Sequence, residues 1–153
     1  MSTVDRNPDH LYPGFLVRLL AALKEMSDWC EVHAPGVVPI LGEGFRSTAR
    51  QKALYAQGRT AAGPVVTHKD GVRHRSNHQS SMAADLWLKE GDGYDWDGTP
   101  ALWRYWGHCC RAQGLEWGGD WKSFKDHPHV EWPTGDLAAY KAAREWQKTA
   151  GLA

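Results

Sequence analysis

Two short segments carry side chains that could bind a metal ion. The first contains His78 and, seven residues later, Asp85, and the second contains His127 and His129. Zinc sites of hydrolases use three protein ligands, commonly His and carboxylate, and leave one position open for water. Asp85 lies in an otherwise apolar stretch, where a buried carboxylate needs a cation or several hydrogen-bond donors. Together the segments indicate a metal site, with a polar cluster as the alternative.

The second segment leaves both its ligand and its acid–base group open. If residues 126–131 are extended, His127, His129 and Glu131 lie on one side, because side chains alternate along a strand. Asp126 and Glu131 could each act as general base, and either histidine could bind metal. Spacing alone does not choose among them.

Composition excludes several functional classes. Of the 153 residues, 42% are apolar and 24% are charged, an ordinary balance for one globular domain. Lys plus Arg and Asp plus Glu each number 18, so no net charge draws the chain to nucleic acid or to a membrane surface. No apolar run is long enough to span a bilayer. We expect no nucleic-acid partner, no membrane insertion and a monomer.

Cysteine, tryptophan and the first residues are also informative. Cys30, Cys109 and Cys110 form a poor disulfide framework, being odd in number with an adjacent pair, and predict free thiols. Nine tryptophans predict a Trp-rich core, with a cleft lined by flat apolar surface as the alternative. The first ten residues are polar, which predicts synthesis in the cytoplasm without a signal peptide.

Four helices are predicted from caps and apolar periodicity. Pro13 opens the first, a capping box over residues 48–51 starts the second, Thr99 and Pro100 start the third, and Asp136 caps the last. The inward face of the first helix should contain Leu16, Leu19, Leu20 and Leu23. That of the last should contain Leu137, Tyr140 and Trp146.

Short strands and one long loop complete the predicted α+β fold. Strands are expected at Val37–Leu41, at Met82–Leu88 and at Val130–Trp132, the first at an edge because it contains Pro39. The loop of residues 59–76 is long enough to be functional. A turn with Asp92, Asp95 and Asp97 resembles a calcium loop only loosely, since the closing Glu of an EF-hand is missing, and a solvated turn is predicted.

Several separated motifs resemble one protein family. The pattern Ser-x-His-(x)6-Asp at Ser76, His78 and Asp85, followed by Asp-x-x-His at Asp126 and His129, resembles the D-alanyl-D-alanine carboxypeptidase and L-alanyl-D-glutamate endopeptidase family of zinc metallopeptidases. Further motifs resemble phage and bacterial L-alanyl-D-glutamate endopeptidases, at 44–47, 57–60, 114–121 and 124–126. The resemblance covers roughly residues 14–132.

The resemblance implies a fold, a metal and residue roles. The fold is a small antiparallel sheet with a few flanking helices and a zinc site in a cleft on the sheet, similar to hedgehog domains and D-Ala-D-Ala peptidases. Asp126 matches the carboxylate that activates water, and Arg46 matches an arginine near the scissile carbonyl, with a surface ion pair as the alternative. Ser81 stands where relatives commonly carry glycine. The implied zinc ligands are His78, Asp85 and His129.

The implied function is zinc-dependent hydrolysis of the stem peptide of bacterial peptidoglycan at the L-alanyl-D-glutamate bond. Two alternatives stay open: a D,D-carboxypeptidase or dipeptidase on the same scaffold, and a non-catalytic zinc-binding module, against which Asp126 argues. We predict one catalytic domain over residues 1–153, with a core at about 14–132, a last helix at about 136–148 and no separate cell-wall-binding domain. A phage endolysin that reaches the wall through a holin would fit these features.

Overall fold

The computed structural model describes residues 3–153. The helices and strands, in chain order, are α1 (Pro13–His33), β1 (Val37–Leu41), α2 (Thr48–Ala56), β2 (Ala83–Glu90), β3 (Gly93–Tyr94), α3 (Pro100–Ala112), β4 (Glu116–Trp117), β5 (His129–Glu131) and α4 (Leu137–Thr149). Short 3-10 helices occur at Pro8–His10, Asn77–Ser80 and Gly118–Asp120. The four helices and small sheet confirm the predicted α+β class.

The sheet is antiparallel, with strand order β1-β2-β5-β4, and β3 pairs with the end of β2. Strand β2 is central, because it pairs with β1 along residues 86–90 and with β5 along residues 83–85. Strand β1 lies at the edge, as its Pro39 predicts. The middle of the sheet, where β2 meets β5, is therefore the most constrained part of the backbone.

Strand β2 presents two different faces. The core receives Ala84, Leu86 and Leu88. Because successive side chains of a strand point to opposite faces, Asp85 and Trp87 lie on the other side. A strand that looks uniformly apolar in sequence thus places one carboxylate away from the core.

Helices α1 and α3 pack against the core face of the sheet. The buried stripe of α1 consists of Phe15, Leu19, Ala22, Met26 and Cys30. The predicted stripe is wrong in part, because Leu20 is 48% exposed and Leu16 and Leu23 are only partly buried. Leu19 belongs to both stripes, but the bulkier Phe15 and Met26 set the side of the helix that faces the sheet. On α4 the prediction fails at Leu137, which is 76% exposed in the first turn, whereas Tyr140 is buried.

Three predicted helix starts are confirmed and one cap is wrong. Thr99 accepts a hydrogen bond from the N–H of Leu102, and Asp136 accepts one from Ala139. Helix α2 begins at Thr48, but its cap is Ser47, whose side chain accepts from the N–H of Arg50. The predicted capping box fails because Thr48 is already helical. Gln51 is instead fully buried and turned toward the functional site.

The predictions for the cysteines and tryptophans hold in most respects. All three cysteines are buried free thiols, and burial raises the pKa of Cys109 to about 12. Trp106 lies in the core, Trp96 is 64% exposed, and Trp121 lines a cavity, so both tryptophan predictions hold in part. Within residues 3–153 no helix combines the length and apolarity that crossing a bilayer requires.

The acidic turn after β2 is held by its own backbone. Asp95 accepts hydrogen bonds from the N–H groups of Asp97 and Gly98. Asp92 and Asp97 are exposed. The prediction of a solvated turn fits this arrangement.

Candidate metal centre and active site

Strand register brings two candidate ligands together. Asp85 of β2 lies directly opposite His129 of β5. Both side chains are on the sheet face away from the core, since Val130, the residue next to His129, is buried in the core. Paired positions of neighbouring strands have Cβ atoms roughly 5 Å apart. The pairing of β2 with β5 therefore builds two thirds of the candidate site.

The third candidate ligand, His78, comes from the 3-10 helix before β2. Ser76 caps this helix in a capping box, with its side chain accepting from the N–H of His78 and the Gln79 side chain accepting from the N–H of Ser76. Nδ1 of His78 lies 2.7 Å from the carbonyl oxygen of Gly44. A carbonyl can only accept, so Nδ1 carries the proton and Nε2 presents a lone pair.

His129 is oriented in the same way by a carboxylate. Its Nε2 lies 2.8 Å from Oε2 of Glu131, which also accepts from the side chain of Asn77 at 2.9 Å. Nε2 is therefore the donor and Nδ1 is left for a metal. A histidine whose other nitrogen donates to a carboxylate is the usual support of a metal ligand. Trp121 packs on the His129 ring, with centroids 4.9 Å apart.

The three ligand atoms have the spacing of a zinc site. Nε2 of His78 and Nδ1 of His129 are 3.2 Å apart, and each lies 3.6 Å from Oδ1 of Asp85. Two ligands at about 2.05 Å from a tetrahedral zinc are about 3.3 Å apart. Oδ1 of Asp85 is buried and has no hydrogen-bond partner among the described residues. Facing lone pairs and an unpaired buried carboxylate oxygen are unfavourable without a cation between them, so these residues fit a zinc ion.

The charges of the ligands depend on one another. Burial alone would lower the pKa of His129, but the carboxylates of Asp85 and Glu131 outweigh burial and raise it to about 10. Burial alone would raise the pKa of Asp85, but the nearby imidazoles of His78 and His129 lower it strongly. Without metal, a proton on His129 thus partly takes the place of a cation.

A cavity of about 520 Å³ opens beside these ligands, and Asp126 lies in its wall. Burial, followed by the negative charge of Asp85, raises the pKa of Asp126. The backbone around it is packed tightly, because a Cβ on Gly118 would overlap the carbonyl oxygen of Asp126. Asp126 is thus a fixed carboxylate with increased proton affinity, facing the same space as the ligands.

Arg46 lines the cavity, but its guanidinium is already engaged. It makes a bidentate ion pair with buried Glu43, at 2.9 and 3.2 Å, and donates to Oε1 of Gln51 at 2.9 Å. Gln51 in turn donates to the carbonyl oxygen of Lys69 at 2.7 Å. The pair with Glu43 is buried, so it is not the surface ion pair given as the alternative, and the predicted role of Arg46 near the substrate stays a prediction. Arg46 can still direct its remaining N–H groups into the cavity.

His127 and Ser81 lie outside the set of candidate ligands. His127 lies before the start of β5, and its ring stacks near Trp103 and Trp117, so strand alternation does not carry it to the ligands. Ser81 adopts the left-handed conformation, φ 60° and ψ 26°, that glycine favours. Its hydroxyl accepts a hydrogen bond of 2.8 Å from Gln147, which also donates to the carbonyl oxygen of Gln79.

The loop of residues 59–76 forms the wall opposite the sheet. Val66, Thr67, His68 and Lys69 line the cavity, and the ring of His68 contacts that of Phe124 at 4.7 Å. Phe124 has φ 54°, an uncommon value outside glycine. The loop thus contributes to the site, as its length predicts.

Sequence reasoning missed several supporting residues. One is Glu43, for which the only signal in the sequence is its place three residues before an Arg, a spacing that permits an ion pair. The others are Asn77 and Glu131, which support His129. Their partners come from distant parts of the chain, so no local pattern identifies them.

Comparisons with known proteins agree with this geometry. Residues 70–132 match a family model described as D-alanyl-D-alanine carboxypeptidase. The peptidoglycan L-alanyl-D-glutamate endopeptidase CwlK of Bacillus subtilis is 39% identical over 104 residues, which are 63% of this chain and 61% of CwlK. The L-alanyl-D-glutamate peptidase of a Listeria phage is 27% identical over 112 residues, 72% of this chain and 35% of that protein. The chain therefore spans less than two thirds of either relative.

A solved structure shows the same fold. The crystal structure of the L-Ala D-Glu endopeptidase ChiX of Serratia marcescens has a TM-score of 0.58 and 23% sequence identity, over 90% of this chain and 93% of ChiX. The predicted resemblance to the D-alanyl-D-alanine carboxypeptidase and L-alanyl-D-glutamate endopeptidase family of metallopeptidases is thereby confirmed, in sequence at residues 70–132 and in fold over nine tenths of the chain.

Proposed function

We propose that this chain is a zinc-dependent peptidoglycan endopeptidase that hydrolyses the L-alanyl-D-glutamate bond. The observation that carries the proposal is the convergence of His78, Asp85 and His129, with an unpaired Asp85 oxygen, beside a cavity that also contains Asp126. Three ligands plus a carboxylate that binds no metal is the arrangement of a hydrolytic zinc site. A purely structural zinc site is normally closed by four protein ligands.

The roles follow from position. When bound, zinc supplies Lewis-acid chemistry that polarises the scissile carbonyl. Asp126 accepts the proton of the attacking water at a carboxylate oxygen and then passes it to the leaving amine, and its raised pKa suits both steps. Arg46, held by Glu43, directs its remaining N–H groups toward the substrate carbonyl or a carboxylate.

The choice of bond is supported by the relatives. CwlK is named for the L-alanyl-D-glutamate bond and is 39% identical to this chain over 104 residues. Digestion of isolated peptidoglycan tests the choice. Mass spectrometry should show stem peptides that have lost L-Ala, together with new amino groups on D-Glu. Chelation should stop the reaction and added zinc should restore it, and full activity in metal-free protein would contradict the proposal.

A D,D-carboxypeptidase is the second candidate, because the matching family model carries that description. The same digest separates the two functions, since a carboxypeptidase would release terminal D-Ala and leave L-Ala attached to the stem. If neither product forms while zinc binds tightly, the non-catalytic zinc module is the better account.

We also propose that the protein acts as a phage lysin that reaches the wall through a holin. The similarity to a Listeria phage peptidase supports this. Bacteria that express the protein inside the cell should lyse only when a holin is co-expressed. Lysis without a holin would contradict this route.

A further inference from the structure

A second cavity of about 510 Å³ adjoins the first. Arg46 and Arg75 line both cavities, so the two share a wall. The remaining wall of the second cavity includes Ser47 at the start of α2, and Arg144 and Lys148 near the end of α4. The second cavity therefore lies between the ligand-bearing 3-10 helix and the last helix, outside the metal centre.

The second cavity is cationic and largely uncompensated. Arg75 and Arg144 form no ion pair or hydrogen bond with any residue of 3–153. Lys148 is paired with Glu145 at 2.9 Å, but both are exposed and Glu145 is not part of the wall. None of the described wall side chains is acidic, and the main-chain carboxylate of the last residue, Ala153, which is also in the wall, forms no ion pair with Arg75, Arg144 or Lys148. The partial positive charge at the start of α2 adds to this field.

The proposed substrate carries the matching charge close to the scissile bond. Glutamate has two carboxyl groups, and the stem peptide uses only one of them to continue the chain. The other is a carboxylate unless it is amidated, and further residues of the stem can supply more carboxylates. Arg75 is three residues from His78, so their Cα atoms are at most about 10 Å apart. A peptide bound at the metal can therefore reach this wall.

We propose that the second cavity is an anion subsite in which Arg75 and Arg144 bind a carboxylate on the D-glutamate side of the stem peptide. This inference rests on the proposed function. Guanidinium groups suit the task, because they bind carboxylates through two parallel hydrogen bonds. The subsite would select stems with free carboxylates over stems in which the same groups are amidated.

Binding of synthetic peptides to the zinc-loaded Asp126→Asn protein tests the subsite without cleavage. The probes are one stem tetrapeptide that begins L-Ala–D-Glu and its forms amidated at D-Glu, at the third residue or at the C-terminus. Calorimetry should show that amidation at one of these positions weakens binding about tenfold. Adding Arg75→Gln and Arg144→Gln should weaken binding of the free peptide by about the same factor and leave the amidated peptide unaffected.

The matched control is Arg73→Gln, which removes one positive charge from the same loop but lies outside the described wall. The subsite would be overturned if Arg73→Gln weakened binding as much as the Arg75 and Arg144 substitutions, or if those substitutions weakened binding of free and amidated peptides equally. It would also be overturned if amidation at no position changed the affinity, or if the peptide did not bind. Cleavage by protein with Asp126 intact is measured separately. Charge-dependent binding without cleavage would sink the proposed function and keep the subsite.

Discussion

The two walls of the main cavity are built on different principles. On the sheet side, His78 and His129 are buried, and each is held by a second bond, to Gly44 and to Glu131. On the loop side, Val66, His68 and Lys69 are exposed, and residues 57–76 contain no helix and only a single β-bridge. The backbone of the first wall is fixed by strand pairing and by the capped 3-10 helix that contains His78, whereas the second wall is fixed at a few points.

Because of this difference, we expect the sheet side to carry metal binding and catalysis and the loop side to carry substrate recognition. A metal site tolerates ligand displacements of only a few tenths of an ångström, so its residues belong on backbone held by strand pairing or by a capped helical turn. A wall that contacts the substrate can vary among relatives, because loops accept changes without loss of the core. Substitutions on the sheet side should therefore affect metal binding and rate, and substitutions on the loop side should affect substrate binding.

The largest effect is expected for His129→Ala. It removes a proposed ligand on the paired strands, so zinc content should fall to near zero and activity should be undetectable. The matched control is His127→Ala, because His127 is two residues away and outside the site. Metal analysis after dialysis and a turnover assay provide the measurements. Zinc loss in His127→Ala with retention in His129→Ala would reverse the assignment.

Asp126→Asn should separate rate from metal binding. Asparagine keeps the size of the side chain but cannot accept a proton, so turnover should fall about 100-fold or more. Zinc content should stay at that of the unsubstituted protein, because Asp126 is not among the converging ligand atoms. A fully active Asp126→Asn protein would eliminate Asp126 as the base.

Glu131→Gln tests the hydrogen bond that orients the His129 ring. An amide can still accept from His129, but it lacks the charge, and loss of such a partner typically weakens metal binding about 10- to 100-fold. Glu116→Gln is the control, since Glu116 lies opposite Glu131 on β4 but contacts no ligand. Competition with a fluorescent chelator gives both affinities. If the two variants bound zinc with equal affinity, the charge of Glu131 would make no contribution to zinc binding.

The affinity for zinc should depend on pH. Since the pKa of His129 is raised to about 10 in the metal-free protein, zinc must displace a proton at any lower pH. The apparent affinity should therefore rise about tenfold per pH unit between pH 7 and 9 and level off near pH 10. A pH-independent affinity over that interval would mean that His129 is already neutral.

The smallest effect is expected on the loop wall. His68→Ala removes the contact with Phe124 but no ligand, so KM should rise about two- to fivefold while kcat and zinc content stay nearly unchanged. His74→Ala is the control, because His74 is an exposed residue of the same loop outside the described cavity wall. A large loss of zinc in His68→Ala would remove the distinction between the walls.

The sequence predicts what is local and misses what depends on pairing. Pro13, Thr99 and Asp136 mark helix starts correctly, because caps act within one turn. Asp85 is also predicted from local sequence, because its apolar neighbours in the strand indicate a buried carboxylate. Spacing leaves His127 open as a ligand, but β5 begins only at His129, so alternation along the strand does not carry His127 to the other candidate ligands.

Long-range partners are beyond such reasoning. Nothing in the order of residues says that Glu131 lies beside Asn77, which is 54 positions away. The family resemblance chose His129 and Asp126 where spacing left four candidates. Both residues line the cavity, and the register of β2 against β5 places His129 opposite Asp85.

The bond between Gln147 and Ser81 has a consequence for anyone who trims or fuses this protein. The family match ends at residue 132, yet the side chain that ties down the turn after His78 belongs to α4, beyond that limit. A fragment cut at the end of the match would keep all three candidate ligands but lose the Gln147 hydrogen bonds that hold the turn after His78. The shortest fragment for use in a fusion protein should therefore extend through Gln147, and a linker should be placed after α4 rather than before it.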